Sequence, residues 1–472
     1  MEEALDIHYD VRHTKEAFVW AERLVGGKLV GARQQGRWRP QHFLDIQMPS
    51  EEVKTLLLRG FRAPVGDLTE DASRDLLRKE AAICKTMGES GCATAKFYGY
   101  EPNGGWFLME TLRGSPDFGN ISDQRVRDKV FGEYIDAIVH LHKLDWKTLD
   151  LPDGLPISKN YEHSISMMLN VYRAPYDKLG DEGPQPTVKL GFWFVENHRP
   201  KPVEFFSLCT GDIGSGQFMY EGDKFTGLID LEMAYVGDPM EDIGATRLRD
   251  LCYPVPGLAG HLRRWAEAMN RELDRESVGY WTVLHMLQGP LMIYPIWSRP
   301  KDFVMSHGES CFNHSFLPHY FRGMHEALAE YYNIELEPPE KPAPRRDIYS
   351  VYTDWLTEQF KTYYPTTTSD DVREFDYACS AALAETVALT RSIGPQLTSA
   401  NIQDFEALLG KPVASEEEGL AAIEERIEED PERDLEKTII TLHRYESRRE
   451  FIIEPLQKAT GVASGWPLQR IL

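Results

Sequence analysis

The chain has 472 residues, 42% of them hydrophobic and 27% charged, which is the composition of two or three folded domains and not of a disordered chain. Its formal net charge of -23 speaks against a nucleic-acid partner, whose phosphates it would repel. The six cysteines are scattered with no C-x-x-C pair, the start Met1-Glu2-Glu3 has no basic and apolar leader, and no 18-residue apolar run occurs. Together these features imply reduced thiols, a cytoplasmic location and no membrane span.

In chain order, residues 14–24 read as a short helix that leads into strands at 29–32 and 42–46. Gly36 and Pro40 in the connector suit a hairpin turn. A third strand at 53–61 carries Leu56-Leu57-Leu58 and then Arg59. Residues 70–88 have helical periodicity, with Leu76, Leu77, Ala81, Ile83 and Cys84 apolar and Glu80 among them. Strands at 95–100 and 106–109 flank the turn Pro102-Asn103-Gly104-Gly105. Three strands, a helix and two strands make a small α+β lobe, residues 1–113.

From about 123 the pattern turns helical. Residues 126–142 form an amphipathic helix with Val130, Ile135, Ile138, Val139 and Leu141 on its apolar stripe. Short β segments return at 205–229, and helices are expected at 240–272, 276–296 and 316–333. Proline and charge are concentrated at 337–344, which marks a linker, 336–346, between a large lobe, 114–335, and a helical accessory domain, 347–472. That last region holds an Ala/Leu-rich helix at 378–393 and a charged helical stretch at 416–448 broken at Asp430-Pro431. It is expected to offer a docking surface to a protein partner or to a second copy of the chain.

The stretch Thr210-Gly211-Asp212-Ile213-Gly214-Ser215-Gly216-Gln217, followed by Ile229-Asp230-Leu231-Glu232, carries the chemistry. An Asp, a side-chain amide five residues on and a second acid after a β-like run is the arrangement used to transfer phosphoryl groups, as in the kinase loop H-R-D-x-x-x-x-N. Asp212 is placed to orient an attacking hydroxyl. Gln217 and Asp230 offer the hard oxygen ligands that Mg²⁺ prefers. The segments 218–220 and 225–229 form a hairpin about Glu221-Gly222-Asp223, which returns Gln217 and Asp230 to one end. Spacing alone is equally compatible with an ordinary β-hairpin that has acids at its mouth.

Residues 205–250 resemble the catalytic segment of the aminoglycoside/choline kinase-like phosphotransferases, and most of all those associated with acyl-CoA dehydrogenases. The family pattern H-G-D-x-x-x-x-N, I-D-[WFL]-E and G-D-P-x-x-D-[LI] meets Thr210-Gly211-Asp212, Gln217, Ile229-Asp230-Leu231-Glu232 and Gly237-Asp238-Pro239-Met240-Glu241-Asp242-Ile243. Leu141-His142-Lys143-Leu144-Asp145-Trp146 resembles the family's helix end. The chain departs from the pattern at Thr210, whose hydroxyl would replace a bond of the usual His, and at Gln217, whose amide reaches one methylene further than Asn.

The resemblance implies an α+β, bilobal protein kinase-like fold: a small β-rich, nucleotide-binding N-lobe, a large helical C-lobe that holds the catalytic and acceptor sites, and an extra C-terminal helical domain. It implies ATP and Mg²⁺ as cofactors and a small-molecule hydroxyl as substrate. Asp212 would be catalytic, and Gln217 and Asp230 would be metal ligands. Arg59 would reach the phosphates and pair with Glu80, Gly36 would let the first hairpin approach a phosphate, and Met109, Glu110 and Leu112 would form the adenine linker. Asp242 would brace the catalytic loop from behind. Asp238 precedes Pro239 and reads as the start of a turn, and Glu232 reads as an acid either behind the metal or at the surface.

Other motifs are weaker. His307, Cys311 and His314 suggest a flexible loop more than a zinc site. Gly26-Gly27-Lys28 lacks the rest of a Walker A loop, and Gly214-Ser215-Gly216 is not a hydrolase elbow. Tyr280, Trp281, His285, Tyr294 and Trp297 fall where the family builds its acceptor pocket, although helix-core packing accounts for such residues as well. Two functions remain: a small-molecule kinase, or a catalytically silent kinase-fold protein that binds a nucleotide or an acyl-CoA-like ligand.

Overall fold

The computed structural model describes residues 11–35, 39–61, 69–179, 183–203, 205–290, 307–348, 350–363 and 371–472. The N-terminal part runs α1 (Val11–Val25), β1 (Lys28–Gln35), β2 (Gln41–Gln47), β3 (Val53–Gly60), α2 (Glu70–Glu89), β4 (Phe97–Tyr100) and β5 (Trp106–Glu110). The strands form one antiparallel sheet in the order β1-β2-β3-β5-β4. Side chains alternate across a strand, and that alternation decides where Arg59 points. Leu44, Ile46, Leu56, Leu58 and Leu108 share a core with Ala17 and Ala21 of α1. Leu57, Phe107 and Met109 turn to the other face and pack with Leu77 and Ala81 of α2. Arg59, two residues after Leu57, therefore faces α2.

The large lobe follows with α3 (Gln124–Lys143), α4 (Tyr161–Leu179), α5 (Pro186–Asn197), β6 (Ser207–Cys209), β7 (Phe218–Glu221), β8 (Lys224–Leu228), β9 (Tyr235–Gly237), α6 (Met240–Cys252), α7 (Leu258–Met269), α8 (Arg275–Met286) and α9 (His307–Tyr332). Two short antiparallel pairs, β6–β9 and β7–β8, carry the catalytic segment. The single helix expected over 240–272 is two helices. Tyr253-Pro254-Val255-Pro256-Gly257 divides them, because two prolines lack an N–H and Gly257 takes a φ of 79°. The region of Cys311 and His314 belongs to α9 and is not the loop the sequence suggested.

Beyond α9, residues 333–348 form an extended strap whose Arg345 N–H donates to the Ser392 carbonyl at 3.2 Å. Four helices follow: α10 (Ser350–Tyr363), α11 (Asp371–Leu409), α12 (Glu416–Glu429) and α13 (Leu435–Thr460). The helices α11 to α13 share the large lobe's core, to which Phe405, Ile423, Ile439 and Leu442 contribute. Buried polar contacts join them as well. Glu450 of α13 meets His319 Nδ1 at 2.7 Å and Arg322 Nε at 2.6 Å, both on α9. The chain end returns to the same lobe, where Ile471 N–H donates to Glu330 at 2.8 Å. Among the described residues, no helix is long and apolar enough to cross a membrane.

Candidate active site

The catalytic loop starts where β6 ends. Ser207 pairs with Gly237, so residues 210–217 leave the sheet beside the turn that opens α6. Gly211 has a φ of 74°, and a Cβ there would lie 2.3 Å from the Met233 carbonyl oxygen, so only glycine fits. Asp242, in the first turn of α6, takes the Thr210 N–H on Oδ2 and the Gly211 N–H on Oδ1, each at 3.0 Å. His142 Nε2 lies 2.9 Å from Asp242 Oδ2, and the Trp265 indole N–H donates to His142 Nδ1 at 3.0 Å. Since Nδ1 accepts, Nε2 carries the proton and donates to Asp242.

This brace is buried throughout. His142, Cys209 and Asp242 have ligand atoms within 4.8 Å of one another, yet the group is not built as a metal centre. Both Asp242 oxygens and both His142 nitrogens are already engaged, and burial keeps the Cys209 thiol well above its ordinary pKa, hence protonated. The Thr210 hydroxyl is 3.5 Å from either Asp242 oxygen, too long for a strong bond. His142 supplies the contact expected of Thr210.

In front of the loop, the Asp212 carboxylate is fully engaged. Arg249 Nε donates to Oδ1 at 2.7 Å, and both Arg249 Nη2 and the Gln217 side-chain amide donate to Oδ2. The Gln217 N–H faces Asp212, so its oxygen faces away from that carboxylate. The hairpin behaves as its turn sequence implies. Phe218 pairs with Leu228, and Ile229 N–H donates to the Gln217 carbonyl at 3.1 Å, which brings Gln217 and Asp230 to one end. Asp230 sits at a φ of 61°, a left-handed conformation that costs on the order of 1 kcal/mol and is often retained at functional sites.

The small lobe closes on this end with two arginines. Arg59 Nη2 is 2.9 Å from Glu80 Oε1 and also contacts Asp230. Arg39 Nη1 is 2.8 Å from Glu80 Oε2 and also contacts Glu232. Burial works against the Arg59 charge, but the Glu80 and Asp230 carboxylates outweigh it and raise its pKa above the ordinary value. Asp230 and Glu232 are thus each paired with a small-lobe guanidinium.

At the lobe junction, Met109 packs with Leu77, Ala81 and Phe107, while Glu110 is exposed and Leu112 half-buried. The Glu110 N–H is taken by the Lys96 carbonyl at 2.8 Å. Gly36 lies outside the described residues, as do Tyr294 and Trp297. Tyr280 and Trp281 are core residues, and the Trp281 indole N–H lies 3.3 Å from Asp238 Oδ2. Asp238 opens the turn as expected, accepting the Met240 N–H at 2.9 Å, and it also pairs with Arg271 at 2.6 Å. His285 is buried, and desolvation lowers its pKa to about 4.

Three roles escaped sequence reasoning, those of Tyr134, His142 and Arg249. The Tyr134 hydroxyl accepts the Gly214 N–H at 2.7 Å, and no local signal marks it. Arg249 had a signal. It follows Asp242 by seven residues on one helix, two turns along the same face, so an acid that braces the loop implies a neighbour there.

Residues 64–276 match the model of the phosphotransferase enzyme family (APH). No curated protein matches the chain. Among solved structures, a candidate aminoglycoside phosphotransferase from Ralstonia eutropha JMP134 is 15% identical, with 68% of this chain and 98% of that one covered at a TM-score of 0.50. The macrolide 2'-phosphotransferase MphH of Brachybacterium faecium is also 15% identical, covering 69% and 100% at 0.45. The aminoglycoside phosphotransferase APH(3'')-Id of Streptomyces rimosus, solved with ADP and streptomycin, is 14% identical, covering 58% and 97% at 0.38. The fold is the bilobal kinase-like one, with extra C-terminal helices, and residues 64–276 bear out the motifs' resemblance by matching the phosphotransferase enzyme family.

Proposed function

We propose that the chain is an ATP- and Mg²⁺-dependent phosphotransferase acting on a hydroxyl of a small molecule. The observation that supports this most is the meeting of Asp212, Gln217 and Asp230 at one mouth, opposite the Arg59–Glu80 pair. Asp212 orients the acceptor hydroxyl and takes its hydrogen bond, and later its proton. Arg59 and Arg39 exchange acid partners for phosphate oxygens, which a guanidinium grips with two parallel bonds. Glu80 holds both arginines in place during that exchange. The linker from Glu110 to Leu112 receives the adenine, with Met109 behind it, and the chain works in the cytoplasm.

The donor set suits Mg²⁺. The Gln217 amide oxygen faces away from Asp212 and the Asp230 carboxylate stands at the same hairpin end, both hard oxygen donors. Mg²⁺ held there would supply charge neutralisation on the phosphates.

One feature favours a second reading. Asp212 and Asp230 are already paired with arginines, as in a silent protein that binds nucleotide without turnover. Measuring ATP consumption against a panel of hydroxyl compounds, for the wild type and Asp212→Asn, separates the two. A wild-type rate that the substitution abolishes supports the kinase. Equal rates remove Asp212 from its role, and Mg²⁺-ATP binding without any transfer favours the silent protein.

A further inference from the structure

We propose that Arg249 is a phosphoryl-binding residue of this site, one that grips the group in transfer while holding Asp212 in orientation; this rests on the phosphotransferase reading above. Arg249 projects from α6 and meets Asp212 edge-on through Nε and Nη2. Among the described residues Asp212 is the only hydrogen-bond partner of its side chain, so Nη1 is uncommitted. Both side chains are 20% exposed. Arg247, two residues earlier on the same helix, shows what a purely structural arginine looks like here. It is 1% exposed, donates through Nη1 to Thr282 and through Nη2 to the Gln469 carbonyl, and pairs with Glu330.

The loop itself brings no cation of its own to the group in transfer. Residues 210–217 contain no Lys or Arg. Gly214, at a φ of 131°, leaves the space that Arg249 enters, for a Cβ there would stand 2.7 Å from the Arg249 Cβ. A hydroxyl held by Asp212 must place its oxygen about 3–3.5 Å from the phosphorus it attacks. A guanidinium in contact with both Asp212 oxygens is then one hydrogen bond from the equatorial oxygens of that phosphoryl group, where charge develops in the transition state.

In the step itself, the bond between acceptor oxygen and phosphorus forms as the bond from phosphorus to the bridging oxygen breaks. ADP leaves with that electron pair. The hydroxyl proton passes to Asp212 and on to water, and Arg249 keeps its proton throughout.

The test compares affinities for ATP and ADP, each with Mg²⁺, by calorimetry in the full-length wild type, Arg249→Ala and Arg249→Lys. Arg249→Ala is expected to lose about tenfold of the preference for ATP with ADP affinity nearly unchanged, and to lower kcat about 10²–10³-fold with little change in the KM for the acceptor. Guanidinium ion added at millimolar concentration is expected to restore part of kcat. Should Arg249→Ala not fold, Arg249→Lys keeps the charge without the fork and carries the same comparison. An unchanged preference for ATP in a folded variant overturns the inference, whatever the turnover. A wild type that transfers nothing, yet loses its preference for ATP on substitution, overturns the phosphotransferase reading and leaves the phosphate contact standing.

Discussion

The two sides of the catalytic loop are built on opposite principles. Behind it, Asp242, His142 and Trp265 are excluded from water and their polar side-chain atoms are all engaged by fixed partners. In front, Asp212, Asp230 and Arg249 are partly exposed and held by charge pairs that a ligand can replace. A buried carboxylate is stable only while its partners stay, because an unpaired charge in the interior is costly. A partly exposed pair contributes less to stability than a buried one and can open when a better partner arrives. The rear is therefore built as scaffold and the front as a surface that a ligand can enter, although both engage the same few residues of chain.

Substitutions on the two sides should differ in kind. The largest effect is expected at the rear. Asp242→Ala leaves the Thr210 and Gly211 N–H groups and His142 without an acceptor, and should lower stability by about 3–5 kcal/mol, read by thermal or denaturant unfolding. A variant as stable as the wild type would show that the rear is not the scaffold. Asp212→Asn at the front should instead leave the unfolding midpoint nearly unchanged and lower turnover about 10²–10⁴-fold.

His285 extends the contrast to pH. Its folded pKa of about 4 lies below its ordinary 6.5, because burial disfavours the charged ring. Below pH 6.5 the unfolded chain takes up a proton that the folded one refuses. Stability should thus fall as pH drops from about 6.5 to about 4, by on the order of 3 kcal/mol, and His285→Gln should flatten that limb. Gln217→Asn shortens the side chain that reaches Asp212, and roughly a tenfold loss of turnover is expected from that displacement. A gain would mean that glutamine is a handicap that the loop merely tolerates. Thr210→Val should change stability by less than about 0.5 kcal/mol, since the hydroxyl makes no close bond.

Much of this was legible in the sequence because the signals are local. The turn Glu221-Gly222-Asp223 and its flanking strands brought Gln217 and Asp230 together as expected. The family resemblance, and not the spacing, paired Arg59 with Glu80, and the two side chains do meet. The failures involve partners far apart in the chain. His142 stood in a visible motif, yet its partner Asp242 is 100 residues away. Arg249 reaches Asp212 across 37 residues. The broken helix at 253–257 was signalled by Pro254 and Pro256 but read through, because the apolar period continues on both sides.

By itself, then, the sequence determined that Gln217 and Asp230 would share one end of a hairpin, because a turn acts over a few residues, and its motifs' resemblance supplied Asp212, Arg59 and Glu80 as candidate partners. Only the tertiary structure decided what holds that set. His142 behind Asp242, Arg249 across Asp212, and Arg39 between Glu80 and Glu232 are pairings between separate elements, chosen by burial and charge where the packed lobes meet and by no periodicity in the chain.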